Sequence, residues 1–133
     1  MTDAELLARL EDASLPEHCF RHRDHLRAAY LYLACDGFLR GLDRMATALR
    51  HYAVAKGKAE RYHETVTIAY GALIHERMRQ GGHMQGGHAG GFEAFLAANA
   101  ELLDPTLLSR FYSPETLASP RARDCFVLQE RGA

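Results

Sequence analysis

Between His22 and Cys35, Leu26, Ala29, Tyr30 and Leu33 recur at the spacing of one helical face, and Gly37 follows as a stop. The same period returns along most of the chain, whereas no stretch alternates polar and apolar residues for long enough to make a useful strand. Helices are therefore the predicted currency of the fold. Leu6, Leu7 and Leu10 give a short amphipathic helix over 3–12, capped by Thr2 or Asp3 and broken before Pro16. A stripe of Leu42, Met45, Ala46, Leu49, Tyr52 and Ala53 predicts a helix over 39–55, closed by Gly57. Another stripe, His63, Val66, Thr67, Tyr70, Leu73 and Ile74, predicts one over 61–79 with a histidine inside its apolar face. "FEAFLAANAELL" reads as a fifth helix, and Pro105, Pro114 and Pro120 stand where short helices begin. The tail from Asp124 is apolar as far as Leu128 and is expected to fray after it. The expectation is an all-α fold, a compact bundle of four main helices plus short additional helices, forming a single helical domain over 1–133.

Composition narrows the function classes. The chain has 133 residues, is 47% hydrophobic and 25% charged, and carries a formal net charge of -1. Lysine and arginine are scattered, with no basic block interleaved with aromatics, so no nucleic-acid partner is expected. The acidic start "MTDAELLARLEDA" lacks a signal-peptide core, and no stretch approaches membrane-spanning length, so no membrane partner is expected either. Cys19, Cys35 and Cys125 are odd in number and widely spaced, which excludes a disulfide framework and a Cys-x-x-Cys knuckle and points to a reducing cytoplasm. The conspicuous residue type is histidine, with eight in the chain.

His22 and His25 are three residues apart, about 60° in direction and about 4.5 Å in rise on a helix, so their imidazoles can converge on one point. Ala29 and Tyr32 continue that strip as an expected pocket wall. In "RYHETVTIAY", His63 shares a face with Val66, Thr67 and Tyr70, and a bundle that turns all three histidines inward offers three nitrogens to a metal. Glu64 points about 100° away from His63 and reads as a further ligand, a partner behind the ligands, or a general base. Imidazoles suit zinc, iron or copper and leave a coordination position open. The competing reading leaves His22 and His25 exposed and gives His63 a backbone carbonyl as partner. His83 and His88, with Met84, sit in the glycine-rich "QGGHMQGGHAGG" and read as a lid or surface loop rather than a second metal cluster. His18, His51 and His75 have no partner at helical spacing. No phosphate loop and no G-x-S-x-G elbow is present.

"RHRDHL" at 21–26, "RYHETVT" at 61–67 and "RFYSPETLASPRARDCFV" at 110–127 resemble, in order, three signatures of a functionally uncharacterised family of small bacterial all-helical proteins: T-H-x-x-H-L, G-Y-H-E-T-[IV]-T, and Y-Y-S followed by L-x-S-x-x-A-R-x-x-[WF]-V. The resemblance implies that His22, His25, His63 and Glu64 belong to one site, with Tyr62, Thr65 and Thr67 around it and Tyr112, Ser113 and Arg123 closing it. It implies no reaction. The chain departs from the pattern at Arg21, where the family has threonine, at the tryptophans replaced by Phe20 and Tyr70, and at "LQE" in place of an "EPD" ending.

Three functions follow as expectations. The first is a small cytoplasmic metalloprotein, a metal-dependent hydrolase or oxidase, holding one transition metal ion (zinc, iron or copper) through His22, His25 and His63. Glu64 is its ligand or base, and a small-molecule substrate reaches it past Tyr32, Tyr62, Thr67, Tyr70 and Tyr112. The second is a non-catalytic binding or accessory module in which the same histidines and Glu64 form a buried hydrogen-bond network without metal. A metal carrier gated by the glycine loop is a third.

Overall fold

Thr2 opens the first helix: its hydroxyl accepts from the Glu5 amide at 3.1 Å, and α1 (Asp3–Glu11) buries Leu6 and Leu10. The computed structural model describes residues 1–81 and 90–130, and all regular structure among them is helical. After α1 come α2 (His22–Asp36), α3 (Phe38–Ala55), α4 (Glu64–Gln80), α5 (Gly91–Ala98), α6 (Pro114–Leu117) and α7 (Pro120–Asp124), with single 3-10 turns at 17–19, 59–61, 100–103 and 107–110. No helix among the described residues is long and apolar enough to cross a membrane.

α2 is the axis. All residues from Ala28 to Leu33 are buried, so this helix has no wet side at its centre. It packs against α1, α3, α4 and α5. A helix buried all round must find a polar partner for each aromatic hydroxyl it carries. Tyr32 is fully buried, and its hydroxyl donates to Glu11 on α1 at 2.7 Å while the Arg44 guanidinium of α3 covers its ring at 5.1 Å. Tyr32 was expected on a pocket wall; burial of α2 on every side assigns it to the packing of α1 and α3 instead.

A single residue joins α2 to α3. Gly37 takes φ +80°, a conformation that L side chains rarely adopt, and lets α3 fold back onto the helix before it. Close approach continues at Gly41, where an added Cβ would stand 2.6 Å from the Tyr32 carbonyl oxygen. Tyr52 on α3 then donates its hydroxyl to the Leu15 carbonyl at 2.7 Å, anchoring the connection between α1 and α2.

The C-terminal third departs from its expected pattern. "FEAFLAANAELL" is not one helix, because Asn99 leaves helical geometry (φ -134°) and its side-chain amide donates to the Phe95 carbonyl at 2.9 Å, occupying the acceptor that a continuing helix would use. α5 still buries Phe92, Phe95 and Leu96 and sets Phe95 against Tyr30 at 4.9 Å. Pro114 and Pro120 open short helices as the sequence predicts, behind Ser113 and Ser119, whose hydroxyls accept from the amides of Thr116 and Ala122. Residues 129–130 were expected to fray, yet Glu130 is strapped down. Its amide donates to the Phe111 carbonyl at 3.0 Å, and its carboxylate accepts from the Ser113 amide and the Thr116 hydroxyl.

Gly41 and Gly71 separate backbone crowding from side-chain crowding. Gly41→Ala is expected to lower unfolding free energy by about 1–3 kcal/mol, because its neighbour is backbone and cannot yield. Gly71→Ala meets only the tip of Leu42, which can turn away, and gains up to about 1 kcal/mol of helix propensity, so its net change should stay within about 1 kcal/mol. Urea denaturation of the two variants checks both.

Candidate functional site

α2 begins at His22, with the Asp24 carboxylate reaching back to accept from the Arg21 amide at 2.9 Å. A carbonyl only accepts, so His22 carries its proton on Nε2 and donates it to Leu102 at 2.9 Å. Its ring also meets the Tyr70 ring edge-on at 5.5 Å. One turn later His25 stacks on Phe20, with centroids 3.8 Å apart and planes 22° off parallel. His25 is an exposed residue, and it borders a cavity instead of a packed core.

His63 does not sit inside the apolar face of α4. Its backbone is extended (φ -132°, ψ 108°) and the helix starts one residue later, at Glu64, with the imidazole as its cap. Nδ1 accepts from the Val66 amide at 3.1 Å, and Nε2 donates to the Leu117 carbonyl at 2.7 Å. Both ring nitrogens are therefore committed to the backbone. Glu64 faces elsewhere: its carboxylate accepts from the Tyr62 hydroxyl at 2.5 Å and pairs with Arg50 at 2.8 Å, and the Arg50 guanidinium covers the Tyr62 ring. Burial, reinforced by the Glu64 carboxylate, pushes the Tyr62 hydroxyl up to about 12, so it is a donor at any ordinary pH. This cluster borders a polar cleft shared with Arg123 and Asp124.

Two further cavities, about 360 and 380 Å³, adjoin where His25, Leu49, Val66 and Thr67 line both. The outer one has Phe20 and Tyr52 in its wall and Lys56, Lys58, Arg61 and Glu17 among its lining residues. The inner one is walled by Leu26, Ala29, Met45, Tyr70 and Ile74, with His22 at its edge. His63 borders the outer cavity and His22 the inner one, so His25 alone among the three touches both.

In this arrangement the three histidines take different partners. His63 has no nitrogen to spare, His22 has spent Nε2 on Leu102, and no group of three or more histidine, cysteine, aspartate or glutamate side chains among the described residues could hold a metal ion. His83 and His88 lie outside the described residues. Of the expected pocket residues, Tyr62, Thr67 and Tyr70 do line cavities. Tyr112 does not close a site around the histidines: its hydroxyl donates to the Val127 carbonyl at 2.7 Å and holds the tail. Thr65, fully buried, does likewise, donating to the Cys125 carbonyl at 2.8 Å and accepting from the Val127 amide at 3.0 Å. The sequence reading missed Phe20, Tyr52 and the cations at the mouth. The available signal was the density of charge in "AKGKAERYH", the segment whose Lys58 pairs with Glu17.

His63→Ala should lower unfolding free energy by about 2–3 kcal/mol, the sum of a helix cap and a half-buried hydrogen bond. His63→Asn should recover about 1 kcal/mol of that, since asparagine caps helices but is too short to replace the Leu117 bond. Urea titrations of the two variants measure the split. At His25, burial first and the neighbouring His22 second lower the pKa from 6.5. Folded protein then binds fewer protons than unfolded protein below about pH 6.5, so stability is whole above that value and falls as the solution is acidified through it. His75 is shifted in the same direction, so the site-specific check is the His25 ring resonance in NMR, which should still titrate below 6.5.

Comparison with known proteins finds no family model that matches the chain, no curated protein similar to it in sequence and no solved structure similar to it in fold.

Proposed function

We propose that this protein is a binding module for a small organic molecule, held in the adjoining cavities at His25. The observation that carries the reading is the unequal employment of the three histidines: His22 and His63 are spent on carbonyls of the C-terminal third, and His25 alone presents its ring to both cavities. Apolar walls around one or a few polar groups suit a ligand with a hydrophobic body, and each cavity is of ligand size. In this reading Glu64 is structural, neutralised by Arg50 and Tyr62, and no hydrolytic or redox step is assigned to it.

A second reading keeps a transition metal, zinc, iron or copper. What favours it is that His22 and His25 border the inner cavity one helical turn apart. It requires His63 to release Val66 and Leu117, or a ligand from elsewhere in the chain.

N-phenyl-1-naphthylamine, an uncharged apolar fluorophore, tests the first reading. It should bind wild-type protein at one site per chain, and Val66→Phe, which fills the wall common to both cavities, should weaken it at least about tenfold while leaving the circular dichroism spectrum intact. Absence of saturable binding to wild type overturns the cavity reading. Elemental analysis after dialysis tests the second: stoichiometric metal lost in His25→Ala supports it, and wild type that takes up no zinc, iron or copper on reconstitution ends it.

A further inference from the structure

We propose that the ligand is a single-chain organic carboxylate, lying with its carboxylate at the Lys56, Lys58 and Arg61 mouth and its apolar chain directed past His25 toward Ile74. The proposal rests on the cavity reading and adds the ligand's charge and orientation to it.

The two cavities differ in charge. No lysine, arginine, aspartate or glutamate lines the inner one, whereas three cations and a single carboxylate, Glu17, line the outer one. The inner cavity offers an ionised head group no opposite charge and the outer one does, so the head group belongs at the mouth. Glu17 itself indicates what these cations hold. Its carboxylate is shared by Lys58 at 2.5 Å and Arg61 at 3.8 Å, and the Lys58 hydrogen bond lowers its pKa. Lys56 remains. No carboxylate pairs with it among the described residues, and its ammonium lies 5.3 Å from the centre of the Tyr52 ring, a ring that also lines the outer cavity. Three cations against one carboxylate leave excess positive charge above an apolar slot, which fits a monoanion with a hydrophobic body.

Beyond the head group, Phe20, Tyr52 and Leu49 supply the outer wall and Leu26, Met45 and Ile74 the inner one. His25 stands between them, flat against Phe20, and offers a ring face and edge that a methylene chain can pass without losing a charge partner. The aliphatic stem of Lys56 can lie along the chain while its ammonium stays in water.

Displacement of N-phenyl-1-naphthylamine by decanoate and by 1-decanol, equal in chain length and different in charge, tests the proposal. Decanoate is expected to displace the probe at roughly threefold to fivefold lower concentration at low ionic strength. That preference should shrink in Lys56→Gln, return in Lys56→Arg, and shrink in 0.5 M NaCl. Octanoate should be about tenfold weaker than decanoate if the chain is buried. Equal displacement by the acid and the alcohol, or a preference undiminished in Lys56→Gln, overturns the carboxylate at this mouth while the cavity reading stands. Equal affinity of octanoate and decanoate overturns the orientation. Wild-type protein that does not bind the fluorophore at all fails at the earlier step, the cavity itself.

Discussion

Burial of α2 on every side is the constraint from which the remainder follows. A helix with no wet face from Ala28 to Leu33 must be enclosed by several others, and α1, α3, α4 and α5 enclose it. Each large apolar side chain taken out of water contributes about 1.5–3 kcal/mol, which makes this enclosure the dominant favourable term. It also dictates polar detail. Tyr32 needs Glu11, α3 needs the gap at Gly41 to come close, and Tyr52 ties the α1–α2 connection through the Leu15 carbonyl. Among the described residues, no buried side-chain polar atom is left without a hydrogen-bond partner.

The C-terminal third is short on helix and long on turns, so its backbone carbonyls need outside donors. Imidazoles provide two of them: His22 reaches Leu102 in a 3-10 turn, and His63 reaches Leu117 at the last residue of α6. Thr65 and Tyr112 complete the fastening by holding Cys125 and Val127. The segments 61–67 and 110–127 therefore meet through hydrogen bonds between side chains and backbone. His25 is exempt from this work. It sits one turn further along α2 than His22, where the neighbouring element is a cavity and not a chain of carbonyls.

Local features were legible in advance because their causes are local. The Thr2 cap, the stop at Gly37, and the serine-proline starts at Ser113 and Ser119 each involve atoms within a few residues of one another. The break at Asn99 is also local, but asparagine's competition for the Phe95 carbonyl leaves no mark on the hydrophobic period that suggested a longer helix. The start of α4 shows the same limit. Periodicity placed His63 inside the helix because His63 and Val66 share spacing with a stripe, whereas the imidazole had a closer use in capping the amides that begin it.

What the sequence by itself determined is the all-helical character, the extent of α2 and α3, and the presence of a histidine pair at the start of α2, since backbone hydrogen bonding and side-chain period act over one or two turns. What only the tertiary structure decided is the partner each histidine takes. The partner of His22 lies 80 residues away and that of His63 lies 54 away, and Lys58 meets Glu17 across 41 residues. Spacing can bring two imidazoles to one side of a helix. Whether they then face a metal, a carbonyl or an open cavity depends on which distant backbone group arrives unsatisfied beside them, and that is settled by how the helices close around α2.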